Sequence, residues 1–199
     1  MIIESIDERT VRSALALAAR APSVHNSQPW TWRYDGSAVH LYADLRRWLP
    51  VTDAIGRDLV VSCGAALHHL RVALAASGIA ARIRRMPDRD ALDHLASVQL
   101  SARPAAEADV RSAKMITQRR TDRRRYGDWP VPTAFLEALE ARAADDGVVL
   151  RAVDEAGGRA FVIDAMREAG ELQRQTTSYT TETAIWTARL TGEDRKSVV

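Results

Sequence analysis

The segment from Asp53 to Ala76 sets the terms for any fold this chain can adopt. It carries Leu59, Ala66, Leu67, Leu70 and Leu74 at helical spacing and is apolar nearly all round its middle. Such a helix is stable in water only when other elements cover most of it, so the pattern predicts a central core helix. Gly78 ends it. Its apolar run from Leu59 to Leu67, broken by Ser62, is far short of the roughly 20 residues a membrane helix needs. With 199 residues, 46% of them hydrophobic, the chain is long enough to bury most of its apolar surface without disulfides or metals.

The remaining periodicities supply elements to cover that helix. Thr10–Arg20 repeats apolar residues at helical spacing, and Pro22 disfavours helix at Ala21. Residues 22–29 read as a polar loop. Trp30, Trp32 and Tyr34 alternate, Asp35-Gly36-Ser37 turns, and Val39, Leu41 and Ala43 alternate again, the pattern of a β-hairpin. Strands are predicted over Ile79–Arg85 and Ala96–Leu100, and a helix over Glu107–Gln118. After a basic stretch the pattern restarts with a helix over Val131–Ala144, a strand over Val148–Val153, and helices over Gly158–Gln175 and Ser178–Leu190. The fold class is α+β.

Charge and cysteine usage remove several functions. The net charge of +2 does not make nucleic acid the default partner, and none is expected. Residues 111–125 hold seven basic residues and one acidic residue, so the rest of the chain carries −4. Glu4, Asp7 and Glu8 stand where a secretory signal would be positive. The lone Cys63 forms neither a disulfide framework nor a Cys-rich zinc site. GxGxxG, Walker, HExxH and GxSxG motifs are absent from the sequence. A cytoplasmic protein with no membrane segment and no metal is expected.

Two constellations could carry chemistry. In Ala21-Pro22-Ser23-Val24-His25-Asn26-Ser27-Gln28-Pro29-Trp30, two prolines restrict a loop whose side chains offer donors and acceptors. That suits a flat heterocycle with polar edges; an ordinary loop capping a helix and a hairpin is the competing reading. In Arg119-Arg120-Thr121-Asp122-Arg123-Arg124-Arg125-Tyr126, forked guanidiniums beside a hydroxyl suit a phosphate. A solvated basic linker or a nucleic-acid patch are the alternatives. His25, His68, His69 and Cys63 are left out of the candidate site. Adjacent helical histidines point in different directions, and Cys63 reads as a small core residue.

Taken together, the two segments resemble the nitroreductase family. "APSVHNSQPW" is similar to its (A/S)PSxxNxQPW loop, and "RRTDRRRYGDWPVP" to the R-x-(S/T)-x-(R/K) opening of a nitroreductase subunit. The order here is reversed, with about ninety residues between the motifs. That arrangement resembles the fused, two-lobed, nitroreductase-like flavoproteins of the mycobacterial Acg type. Asp53-x-x-Gly56-Arg57 and the Ser62–Leu67 run look like the same branch.

The resemblance implies a nitroreductase-like, pseudo-dimeric chain with FMN as cofactor. Residues 1–112 would be the first lobe and residues 113–193 the truncated start of the second. Residues 194–199 read as a non-native tail, because they match one frame of a common sequencing adapter. Arg119 and Thr121 would meet the FMN phosphate and ribityl chain. Arg123 would lie near the flavin N1/O2 edge, favouring the negative charge that reduction places there. Pro22, Ser23, Val24 and Asn26 would form the covering loop, with hydrogen bonds from Ser23 and Asn26. No catalytic side chain is required. The implied activity is transfer of hydride from NAD(P)H through FMN to a small-molecule acceptor. A flavin-sequestering protein with little reductase activity is the alternative. The complete form would be a monomer or a homodimer. The Pro22–Asn26 loop and the Arg119–Arg123 segment should then meet at one cleft.

Overall fold

The computed structural model describes residues 6–122, 124–127, 129–153 and 155–188. The expectations for Arg123 and for residues 194–199 lie outside the described residues. Two compact units are present, one of residues 1–121 with 178–199 and one of residues 122–177.

In the first unit, helix α1 (Glu8–Ala18) starts where the Asp7 carboxylate accepts the Arg9 N–H. This side-chain cap satisfies one of the donors that a helix N-terminus leaves open. A hairpin follows, β1 (Trp30–Tyr34) and β2 (Ala38–Ala43), then the long helix α2 (Arg57–Ala76). Strands β3 (Ile79–Arg85) and β4 (His94–Ala102) and helix α3 (Glu107–Gln118) complete the covering layer. The sheet is antiparallel with order β1-β2-β4-β3.

Helix α2 begins four residues later than its apolar pattern. Asp53 does not join the helix. Its carboxylate instead accepts the Leu59 N–H at 2.8 Å, and Gly56 takes the left-handed turn that leads into the first helical residue. By length and composition alone α2 could cross a membrane. Its Leu59, Cys63, Ala66, Leu70 and Leu74 are instead buried in one core with Val11, Leu15, Trp30, Val39, Leu41 and Val98. Helices α1 and α3 and the sheet all pack against it. The alternation on β2 decides which sheet face does so: Val39 and Leu41 point inward, His40 and Tyr42 outward.

Residues 178–188 of helix α6 (Thr177–Ala188) also belong to this unit, and the Glu182 carboxylate helps to tie them there. Glu182 accepts from the backbone N–H groups of Val51 and Thr52 and from the Thr52 hydroxyl, at 3.2, 2.8 and 2.8 Å.

The second unit holds α4 (Thr133–Asp145) and α5 (Ala156–Gln175), neither of which buries a residue. The expected strand at Val148–Val153 is not there. Residues 148–153 are irregular, and Val148, Val149, Leu150 and Val153 are exposed. A strand needs a partner edge for its backbone hydrogen bonds, and the described residues of this unit contain no other strand. A short β-branched run has no way of recording that.

Candidate functional site

The loop after α1 is held in an unusual backbone. Ser23 is extended, and Val24–Asn26 make a single tight turn. His25, Asn26 and Gln28 have positive φ values of 47°, 53° and 48°. For residues other than glycine each such conformation costs about 1–2 kcal/mol, least for Asn. Hydrogen bonds from around the loop enforce it. The Asn26 N–H donates to the Ser23 carbonyl at 3.0 Å and the Ser27 N–H to the Val24 carbonyl at 2.9 Å. The Gln28 N–H donates to the Ser23 hydroxyl at 2.9 Å. From outside, the Arg47 guanidinium donates to the Ser27 carbonyl at 3.0 Å and the Cys63 thiol to the Pro29 carbonyl at 3.1 Å. Cys63 is fully buried, as a small core residue would be.

This conformation leaves specific groups to a ligand. Ser23 Oγ is an acceptor within the loop, so its own proton is free to point outward. Asn26 is exposed, and its Oδ1 lies 3.4 Å from the Gln28 amide nitrogen, leaving the Asn26 NH₂ group as a donor. Pro22 is exposed, while Val24 is half-buried. Strained residues over-determined by their surroundings cluster at ligand sites.

The arginines after α3 have three distinct jobs. Arg120 donates to the Thr117 and Arg119 carbonyls, both at 2.8 Å, and so satisfies acceptors at the end of α3. Arg124, in the second unit, is paired with Asp122 at 2.6 Å and holds that carboxyl below its ordinary range. Arg119 turns elsewhere. Its Nη1 donates to Thr121 Oγ1 at 3.2 Å, and its Nη2 approaches the Arg20 carbonyl at 3.4 Å. Arg20 lies three residues before Ser23, a span of at most about 11 Å. Arg119 keeps Nε–H and one further proton on each Nη, and Thr121 keeps its hydroxyl proton.

His69 stands outside the candidate site because adjacent helical histidines point in different directions, but its surroundings are unusual. It sits half-buried on α2, and its Nδ1 is buried without a hydrogen-bond partner. Burial first, then the neighbouring His68 and Arg119, push its pKa down to about 4. The folded chain keeps His69 neutral, whereas the unfolded chain takes up a proton near pH 6.5. Stability should therefore fall as pH drops from about 6.5 to about 4, and His69 adds no pH dependence above that window. Urea midpoints at pH 7.5 and 4.5 check this: His69→Gln should lose less stability on acidification than the parent chain. Equal acid losses would remove His69 as the cause.

The structure thus draws Arg119 and Thr121 to the chain just ahead of the loop that holds Pro22, Ser23, Val24 and Asn26. Gln28 and Arg47 are additional loop supports. Gln28 stands in the QPW part of the loop motif, whereas no motif contains Arg47.

No family model matches the chain. It is 43% identical over 183 residues to a Mycobacterium tuberculosis H37Rv protein named "Putative NAD(P)H nitroreductase Rv3131", covering 92% of this chain and 52% of that one. It is 44% identical over 121 residues to the "Putative NAD(P)H nitroreductase acg" of the same strain, covering 60% and 37%. Among solved structures it is similar to a protein of Clostridium acetobutylicum described as a putative NADH oxidase. That likeness has a TM-score of 0.43 at 15% identity over 53% of this chain and 82% of that one. The chain spans about half the length of the curated relatives it matches. With 43% identity across nearly its whole length, it is a homologue of mycobacterial proteins named NAD(P)H nitroreductase, Acg among them.

Proposed function

We propose that the complete protein is a cytoplasmic, FMN-dependent oxidoreductase that passes hydride from NAD(P)H to a small-molecule acceptor. The bridge from Arg119 to the Arg20 carbonyl carries this reading, because it draws a phosphate-binding donor set toward a rigid loop suited to a flat ring. The names of the homologous proteins support the same chemistry.

FMN fits the groups the chain presents. A guanidinium with three unused N–H donors and an adjacent hydroxyl match a phosphate monoester. Ser23 and Asn26 offer donors to the polar edges of an isoalloxazine, and Pro22 and Val24 offer apolar contact. The family resemblance would assign the cation at the N1/O2 edge to Arg123, which lies outside the described residues. FMN, when bound, supplies the hydride chemistry; the chain binds, orients and tunes it. That division of labour calls for no nucleophile or general base on the protein.

The test is made on the complete protein in air-free buffer. It should bind FMN, and NADPH or NADH should bleach the bound flavin within seconds to minutes. Failure to retain FMN would remove the flavin assignment. Retention without bleaching would favour a flavin-sequestering protein.

A further inference from the structure

On the sheet face away from the core, three titratable side chains form a line. Asp35 Oδ2 lies 3.1 Å from His40 Nε2, and His40 Nδ1 lies 3.1 Å from His94 Nε2. Asp35 sits in the β1–β2 turn, His40 on β2 and His94 at the start of β4, so the line crosses from the hairpin turn to the neighbouring strand. Tyr42 stacks on His94 with ring centroids 4.5 Å apart.

The hydrogen count along this line is constrained. Asp35 accepts the Ser37 and Ala38 N–H groups at 2.8 and 2.7 Å and the Ser37 hydroxyl at 3.0 Å. With His40, these donors hold its carboxyl well below the usual carboxylate range, so it remains an acceptor. His40 Nε2 must then carry a proton. In a neutral ring that leaves His40 Nδ1 as a bare acceptor, which requires His94 Nε2 to be the donor. One added proton leaves both links intact: either His94 becomes the cation, or His40 does and donates through Nδ1 to a His94 whose remaining proton moves to Nδ1. Two added protons place N–H against N–H, with cationic rings whose centroids are 5.1 Å apart.

We propose that Asp35, His40 and His94 form a one-proton store across the sheet. This relay keeps its links through the first added proton and separates on the second. The β2–β4 pairing at its His40–His94 end is thereby an acid-responsive element.

The surrounding charges are mixed. Asp88 and Asp93, near the start of β4, and the Ala96 backbone favour a proton on His94. Burial first, and then His40, oppose it and hold His94 below its ordinary value. Strand register sets Arg33 opposite His40, and Arg84 and Arg85 on β3 opposite Ser97 and Ala96. Because the unfolded chain takes a proton on His94 before the folded chain does, acid below about pH 6.5 weakens this corner of the sheet.

Imidazole ¹⁵N spectra of the 199-residue chain from pH 8 to pH 4 test the proposal. At pH 8 both rings should carry their proton on Nε2. The pair should then titrate in two macroscopic steps more than about one pH unit apart. Amide exchange at Ala43, whose N–H donates to the Asp93 carbonyl beside His94, should accelerate by roughly tenfold or more after the second step, once corrected for intrinsic rates. A proton on His40 Nδ1 at pH 8, or single-step titrations that His94→Gln leaves unmoved, would overturn the relay. The tautomer is read on the unmodified chain, so it decides the matter even if the variant fails to fold.

Discussion

Replacing Trp30 by alanine should lower the unfolding free energy by about 3–5 kcal/mol, the range for removing a large aromatic from a packed core. Trp30 is 1% exposed and is among the largest fully buried side chains. It opens β1 immediately after Pro29 and belongs to the core cluster that holds Val11 and Leu15 of α1 and Leu59, Leu70 and Leu74 of α2. A single domain has only about 5–15 kcal/mol in hand, so this one change removes a large share. The urea midpoint should drop with little change in slope. Trp129, 91% exposed, serves as the control, and its alanine variant should stay within about 0.5 kcal/mol of the parent. A loss under about 1 kcal/mol for Trp30→Ala would show that the core does not depend on this side chain.

In the complete protein, Arg119→Ala should weaken FMN by about 1.5–3 kcal/mol, the scale of a charge-assisted hydrogen bond. That corresponds to roughly 10- to 150-fold in dissociation constant. Riboflavin lacks the phosphate and should bind both forms almost equally. The comparison separates a direct contact from a general disturbance, because losing the Arg119 link to Arg20 could loosen the loop for any flavin. Equal losses for FMN and riboflavin would move Arg119 from the phosphate to loop support. Arg119→Lys keeps the charge but not the fork, so it should recover part of the affinity.

Much of the architecture is written in local pattern. The hairpin register follows from the alternation of Val39 and Leu41 against His40 and Tyr42, together with the Asp35-Gly36-Ser37 turn. Helix α3 runs over the residues its spacing predicts, Glu107–Gln118. The α+β class follows from these elements. The same local logic fails at Val148–Val153, where the strand pattern is present and the partner edge is not. It also places the start of α2 four residues early, because it sees an apolar run but not a carboxylate turning back to cap Leu59.

The candidate site divides along the same line. Its residue types and the rigidity of its loop follow from composition and two prolines, which act within a few residues along the chain. Its backbone is another matter, since nothing in Val24–Gln28 demands three left-handed residues. The Gln28 N–H donating to the Ser23 hydroxyl and Arg47 donating to the Ser27 carbonyl impose that conformation. The meeting of Arg119 with Arg20, 99 positions apart, depends on α1 and α3 packing against the same central helix. His69 becomes a titrating group of altered strength only through that packing, which buries it and sets a guanidinium beside it. Periodicity, caps and turns act over a few residues and are legible in order along the chain. Burial and long-range electrostatics depend on which surfaces meet, and only the packed core decides that.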